Sequence, residues 1–173
     1  MNPSFSNDKP LNASGRFGRL SYLGWVMLSS IVMMILLSIL LSIFGLAFNP
    51  QNISIGPLIP YIIVYLVFIY ISIVFMIRRL HDRNHSGWLS LLVLVPVANI
   101  IFMLYLVFAK GDVARNNYGS PRSTATWEKV LAWFYIALFP LGILAAIAIP
   151  SYQDYVERSQ IQQYEQIQQH QQN

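Results

Sequence analysis

Three long stretches of the sequence contain no charged residue: 20–77, 84–109 and 130–153. A charged side chain at the centre of a lipid bilayer costs about 2.5–3.5 kcal/mol on insertion scales, so a membrane accepts such stretches most readily. Only 10% of the whole chain is charged, whereas a soluble domain carries roughly 25% charged residues. The sequence therefore predicts an integral membrane protein with little room for a soluble domain.

The apolar runs have the length of transmembrane helices. About 20 apolar residues in helical form cross a hydrocarbon core of ~30 Å, and segments 20–48, 57–77 and 130–149 meet this length. The remaining run, 88–109, has Pro96 near its middle, and each half is too short to cross alone. We predict an all-α integral membrane protein. It has three transmembrane helices and one proline-broken apolar segment, which is either a re-entrant hairpin or a fourth crossing.

The positions of the basic residues predict the orientation, because cytoplasmic loops of membrane proteins are enriched in Lys and Arg. Bases precede the first apolar run and occur in the second and third connections, whereas the first connection has none. A fourth crossing would place the bases of the third connection, Lys110, Arg115, Arg122 and Lys129, on the outer side. A re-entrant hairpin keeps every basic connection inside, so we favour the hairpin, with a cytoplasmic amino terminus and an external carboxyl-terminal tail.

Polar segments divide the rest of the chain. We expect a flexible cytoplasmic tail at 1–14, a membrane domain at 15–121, a connector at 122–129, the last transmembrane helix at 130–149, and a Gln-rich helical tail at 150–173. The chain has no cysteine, which excludes disulfides and Cys-ligated metals. The net charge of +4 is assigned to membrane orientation rather than to nucleic-acid binding. We expect no cofactor.

The densest polar stretch of the chain, 78–88, has three interpretations. His81 and His85 would share one face of a helix and could bind a metal, or could act with Asp82 as acid–base groups of a membrane enzyme on lipid headgroups. Three neighbouring arginines would repel a cation. We therefore predict no metal ligand here and expect a polar network that ties the connector to the helices. We name no catalytic residue, and a membrane enzyme acting on lipid headgroups stays a third alternative.

That network has specific expected pairs. Asp82 is predicted to pair with Arg79 or Arg83, and Arg16 with Asp82 or Asp112. Bases at the membrane surface could also recognise anionic phospholipids, although orientation alone explains them. The bases concerned are Arg16, Arg19, Arg78, Arg79 and Arg83.

A transporter or channel-like protein is a further alternative, in which the region from Pro96 to Asn99 forms a polar constriction. No ionisable residue lies deep in any apolar run. Proton-coupled transport normally needs such a residue, so this alternative ranks second.

Three motifs point to a known family. They are Gly15-Arg16-x-x-Arg19-x-x-Tyr22, Arg79-Leu80-His81-Asp82-x-x-x-Ser86-Gly87-Trp88, and Asn116-x-Tyr118-Gly119. Over residues 14–121 the chain resembles the DUF805 family of small bacterial inner-membrane proteins. The resemblance implies a location in the bacterial inner membrane and a helical architecture, and it implies no particular reaction.

A second resemblance is confined to residues 142–160, which are similar to the first helix of type IV pilins. Its residues include Gly142, Ala145, Ala146, Pro150, Tyr152 and Tyr155. The chain before this segment departs from pilins: Trp133 stands where a pilin has a glutamate, and Glu128-Lys129-Val130 supplies no Gly/Phe processing site. We interpret the chain as a non-catalytic accessory protein whose last helix binds pilins or their assembly platform in the membrane.

Overall fold

The computed structural model describes residues 9–44 and 55–172, with side chains up to residue 162. The described residues form helices and no strand: α1 is Arg19–Phe44, α2 is Leu58–His81, a 3-10 helix is Gly87–Leu94, α3 is Ala98–Phe108 and α4 is Thr126–Gln172. The chain divides into two compact units, Met1–Trp133 and Phe134–Asn173. Residues 1–8 of the predicted amino-terminal tail and the end of the predicted apolar segment 20–48 lie outside the described residues.

Three helices of the described chain are long and apolar enough to cross a membrane. They are α1, α2 and the part of α4 from Thr126 to Gln162. A shorter apolar helix, α3, accompanies them. The all-α fold with three membrane-length helices and one broken apolar segment is thus confirmed, and the chain is a membrane protein.

Two helices extend into segments that we predicted as connectors. Helix α2 continues past Ile77 to His81, so its last turn contains Arg78 and Arg79, where basic side chains interact favourably with the helix dipole. Helix α4 begins at Thr126, inside the predicted connector. Both differences have one origin: runs without charge mark apolar segments, whereas a helix can include charged residues when they find partners.

Glu128 shows how such a residue is accommodated at the start of α4. Its Oε2 accepts a hydrogen bond from the Ala125 backbone N–H at 3.0 Å, which is the acidic half of a capping box. The same carboxylate accepts bonds from the Ser21 hydroxyl at 2.9 Å and the Trp25 indole at 2.8 Å, and it pairs with Arg122 at 2.6 Å. Glu128 is fully buried, and its bonds to Ser21 and Trp25 join the start of α4 to α1.

The core of unit 1 lies at the end of the helices where the charged residues are. Phe17 and Phe75 are buried there, and the Phe17 ring packs on Phe75 and Trp25 with centroid distances of 5.7 and 6.2 Å. Farther along α1, large apolar side chains such as Met34 and Leu41 are exposed. This distribution is the one expected of helices whose outer surfaces face lipid, because lipid rather than protein covers them there.

The segment between α2 and the last connector folds back on itself. The His85 Nε2 atom lies 2.6 Å from the Tyr105 hydroxyl, which also accepts a hydrogen bond from Arg83 at 3.0 Å. The 3-10 helix and α3 are each about 16 Å long at their usual rises per residue, roughly half of a ~30 Å hydrocarbon core. The segment is therefore a hairpin, and this is the geometry that the re-entrant alternative requires.

The tip of the hairpin is built around Pro96 and Val97. Val97 has φ 68°, a conformation that β-branched residues rarely adopt. Around it, the Ala98 N–H donates to the Pro96 carbonyl at 2.8 Å, and the Asn99 N–H donates to the Val95 carbonyl at 2.9 Å. Pro96 itself has no backbone N–H that would need a partner. Local hydrogen bonds of this kind suit a turn with apolar surroundings, where an unpaired backbone group is costly.

Candidate functional site

The centre of the charged end of unit 1 is the carboxylate of Asp82. Its Oδ1 accepts hydrogen bonds from Arg16 Nε at 3.2 Å and Arg16 Nη2 at 3.1 Å, and its Oδ2 accepts one from Arg79 Nη1 at 2.7 Å. All three residues are buried. A buried ion needs paired charges and hydrogen bonds to offset its lost hydration. Here two guanidinium groups hold one carboxylate, which selects one of the two pairings predicted for each residue.

Arg16 also binds the connector that follows α3. Its Nη1 donates to the carbonyl oxygens of Ala114 at 2.8 Å and Gly119 at 3.0 Å, and its Nη2 donates to the carbonyl of Asp112. Gly119 has φ 106° and closes a tight turn with Asn116, a backbone conformation that favours glycine. The single side chain of Arg16 therefore ties the amino-terminal segment to the loop 110–121.

Arg79 binds the end of the hairpin in the same way, through backbone carbonyl groups. Its Nε donates to the carbonyl of Leu106 at 2.7 Å and its Nη2 to the carbonyl of Ala109. A helix ends with several carbonyl groups that lack intrahelical partners. Because Arg79 supplies donors to the last turn of α3, it fixes the returning end of the hairpin to the last turn of α2.

Arg78 holds the segment that precedes α1. Its Nη1 donates to the carbonyl oxygens of Lys9, Asn12 and Ser14 at 3.0, 2.9 and 3.1 Å. Its guanidinium lies over the Phe17 ring, 4.1 Å from the centroid, a favourable cation–π arrangement. Three carbonyl contacts and a ring contact show that this arginine organises residues 9–17.

The third motif closes the cluster. The Asn116 side-chain amide donates to the His81 carbonyl at 2.9 Å and to the Asp112 carboxylate at 3.1 Å. The Tyr118 ring stacks on the His81 ring, with centroids 3.7 Å apart and planes 8° apart. Residues that are far apart in the sequence thus meet in one network, the arginine–aspartate cluster: Arg16, Arg78, Arg79, His81, Asp82, Asn116, Tyr118 and Gly119.

Other candidate residues have separate positions. Arg19 is exposed at the first residue of α1. The Ser86 hydroxyl accepts a hydrogen bond from the Trp88 N–H at 3.4 Å and caps the 3-10 helix. Gly87 faces Ile77, which a Cβ on the glycine would approach to 2.9 Å. The candidates Gly142, Ala145, Ala146, Pro150, Tyr152 and Tyr155 belong to the second unit.

Three residues of this region were not among the candidates predicted from the sequence. Gly111 lies against Asp82, where a Cβ atom would come within 1.8 Å of Oδ2. Tyr105 joins His85 and Arg83 at the root of the hairpin, and its hydroxyl raises the pKa of Arg83 by accepting a hydrogen bond. Glu128 is the sole acidic residue between Asp112 and Asp154. This isolation was a sequence signal that could have marked it as a candidate. Nothing in the local sequence marks Gly111 or Tyr105.

The chemistry of the arginine–aspartate cluster is that of a structural clamp. Both carboxylate oxygens of Asp82 are engaged by guanidinium groups, so neither is placed to accept a proton from a substrate. Within the described ranges, no group of three or more His, Asp or Glu side chains is arranged to hold a metal ion. The cluster fixes four segments relative to one another: residues 9–18, the end of α2, the end of the hairpin and the loop 110–121.

Comparison with known proteins agrees with this grouping. A family model described as "Protein of unknown function (DUF805)" matches residues 10–120, which include the whole arginine–aspartate cluster and end before α4. Neither a curated protein nor a solved structure matches the chain. The family match covers well over half of the sequence, and the chain therefore belongs to the DUF805 family.

Proposed function

We propose that this protein is a non-catalytic accessory protein of the bacterial inner membrane that binds type IV pilins, or their assembly platform, through residues 142–160. The observation that carries the proposal is the exposed surface of the helix in the second unit. Taken by itself, this unit is a helix whose side chains are exposed from residue 136 to residue 155. Residues 142–160 of this helix resemble the first helix of type IV pilins.

Three small residues of this helix and one isoleucine lie on one face. Gly142, Ala145, Ala146 and Ile149 are spaced at i, i+3, i+4 and i+7, which places them along one side of an α-helix. In membranes, small side chains allow two helix backbones to approach closely, and packing rather than the hydrophobic effect drives association. This face is the proposed contact surface, and we refer to it as the small-residue face.

The polar part of the helix supports the same interpretation. After Pro150 the helix carries the exposed aromatic residues Tyr152 and Tyr155. Tyrosine is enriched where a helix leaves the hydrocarbon region. The proposed contact is therefore mostly membrane-embedded, with its end at the outer surface.

Site-specific crosslinking tests this proposal, because the chain has no native cysteine. We expect Ala146→Cys, carrying a photoreactive thiol label, to form an adduct with a pilin or platform protein in cells that make type IV pili. Ala148→Cys is the matched control: it changes the same residue type two positions away, about 200° around the helix. Equal yields from both positions, or no adduct from Ala146→Cys, would refute recognition through the small-residue face.

The same proposal places the arginine–aspartate cluster in the cytoplasm and the end of α4 in the periplasm. Contacts among residues 9–18, the end of α2 and the loop 110–121 place basic residues from both the second and third connections at one end of unit 1. Positive residues on one side favour the cytoplasmic side. A single crossing by α4 then brings its carboxyl end outside, which is the direction of a pilin helix.

A further inference from the structure

A groove of about 260 Å³ separates parts of α1 and α2 in unit 1. Its walls are apolar: Leu28, Val32 and Leu36 contribute from α1, and Ile63, Val67 and Ile71 contribute from α2. Two helices that pack fully against each other leave no such space. A groove on membrane-length helices opens to lipid, so its natural contents are hydrocarbon.

The length of the groove matches one leaflet of a bilayer. On α1 its lining runs from Trp25 to Leu36, which is about 16 Å at 1.5 Å per residue. A leaflet contributes roughly half of a ~30 Å hydrocarbon core. The end at Trp25 is the end that packs against Phe17 and Phe75, so the groove occupies the leaflet next to the arginine–aspartate cluster.

The head of the groove lies beneath positive charge. Leu11 lines this end and is 53% exposed, and Lys9, two residues away, is exposed as well. The guanidinium of Arg122, which is paired with Glu128, lies 5.4 Å from the ring centroid of Phe17, and Phe17 in turn stacks on Trp25. Bases outnumber acids among residues 8–129: Lys9, Arg16, Arg19, Arg78, Arg79, Arg83, Lys110, Arg115, Arg122 and Lys129 stand against Asp8, Asp82, Asp112 and Glu128.

We propose that this groove binds one acyl chain of an anionic phospholipid from the leaflet at the basic end of unit 1. The acyl chain lies between α1 and α2, and the phosphate lies at the groove head beside Lys9. The groove is about as long as one leaflet is thick, which suits an acyl chain. The surrounding bases suit a negatively charged headgroup. The site is independent of the small-residue face and of any pilin.

Photolabelling in lipid nanodiscs tests the site. The full chain is placed in phosphatidylcholine with a trace of phosphatidylglycerol that carries a mid-chain diazirine, and labelled residues are mapped by mass spectrometry. We expect labels on groove residues such as Val32 and Ile71. We also expect at least a threefold higher yield than with an identical phosphatidylcholine probe. Equal yields from the two probes, or labels spread evenly over α1 and α2, would overturn the proposal.

Matched variants separate groove binding from general lipid contact. Val67→Phe fills the groove and is expected to reduce labelling at least fivefold. Ile62→Phe changes a side chain that is equally exposed, at 52%, but lies outside the groove lining, and is expected to leave labelling unchanged. Similar losses in both variants would contradict an occupied groove, as would capture of a second protein chain by a photoreactive label at Val67→Cys.

The headgroup preference has its own variant. Lys9→Gln is expected to lower the phosphatidylglycerol yield towards the phosphatidylcholine yield. Lys110→Gln removes an exposed lysine that follows α3, and is expected to keep the preference. A preference that survives Lys9→Gln intact would overturn the placement of the phosphate at the groove head.

Discussion

Replacing Asp82 with asparagine is expected to destabilise unit 1 by about 3–5 kcal/mol, the usual effect of removing one partner from a buried ion pair. Asparagine has nearly the same shape, so the loss isolates the charge. Arg16 and Arg79 are both fully buried, with 1% and 0% of their surfaces exposed, and neither can regain water without opening the core. Their other partners are neutral carbonyl groups, which cannot replace a carboxylate.

Thermal unfolding of the purified protein in mild detergent, followed by the near-ultraviolet signal of its tryptophans, measures this effect. The amount of protein in membranes is a second readout, because an unstable chain is degraded. Asp154→Asn is the matched control, since Asp154 is exposed in the second unit and its charge is hydrated. If both variants unfolded at the temperature of the native chain, the arginine–aspartate cluster would not stabilise the fold.

Replacing Gly111 with alanine is expected to cost about 3 kcal/mol, at the upper end of the range for overpacked sites. The new Cβ would lie 1.8 Å from Asp82 Oδ2 and 2.6 Å from its Cγ. Asp82 cannot rotate away without losing Arg16 and Arg79. The loop cannot withdraw easily either, because the Asp112 N–H donates to the Asp82 carbonyl at 2.9 Å.

Two comparisons make the Gly111 result specific. Gly18→Ala should be nearly neutral, because its Cβ would meet its nearest neighbour, Thr124 Oγ1, at an ordinary 3.9 Å. The double variant Asp82→Ala/Gly111→Ala should cost less than the sum of the two single changes, since the first removes the atoms with which the second collides. Additive losses measured by denaturant or thermal unfolding would show that the two residues do not touch.

Much of the fold was predictable, because charged residues are strongly disfavoured in the interior of a bilayer, so membrane-spanning segments are visible as runs without charge. The runs without charge located α1, α2 and α4, although their ends were wrong by several residues at Arg78–His81 and at Thr126. Charge alone could not place those ends. Arg78 and Glu128 belong to helices because carbonyl groups, hydroxyls and an indole satisfy them, and such partners come from distant parts of the chain.

The cluster was predictable in its pairs and not in its surroundings. The sequence offered Arg79 or Arg83 as the partner of Asp82, and Asp82 or Asp112 as the partner of Arg16. The structure pairs Asp82 with both Arg79 and Arg16. The carbonyl groups that fill the remaining positions around Arg16 and Arg79 leave no trace in the sequence, because every residue has a carbonyl. The sequence does not mark Gly111 either, because a small residue is required at this position only by the close approach of Asp82 in the folded structure.

The hairpin shows where a contact decides between alternatives. Pro96 predicted a break in the third apolar run, and a break is compatible with a kinked crossing as well as with a reversal. The contact between His85 and Tyr105 joins the two ends of the run and selects the reversal. A polar residue at each end of an apolar segment was a weak signal for this, since the same residues also suit opposite membrane surfaces.

Thiol accessibility measures the topology most directly, because the native chain is free of cysteine. Ile55→Cys precedes α2, Val113→Cys follows the hairpin, and both positions are well exposed, at 70% and 81%. In intact cells with a permeabilised outer membrane, a membrane-impermeant maleimide should modify Ile55→Cys, and should modify Val113→Cys only after the inner membrane is opened. Modification of Val113→Cys in intact cells would mean that residues 87–108 cross the membrane, and would contradict a re-entrant hairpin with all basic connections on the cytoplasmic side.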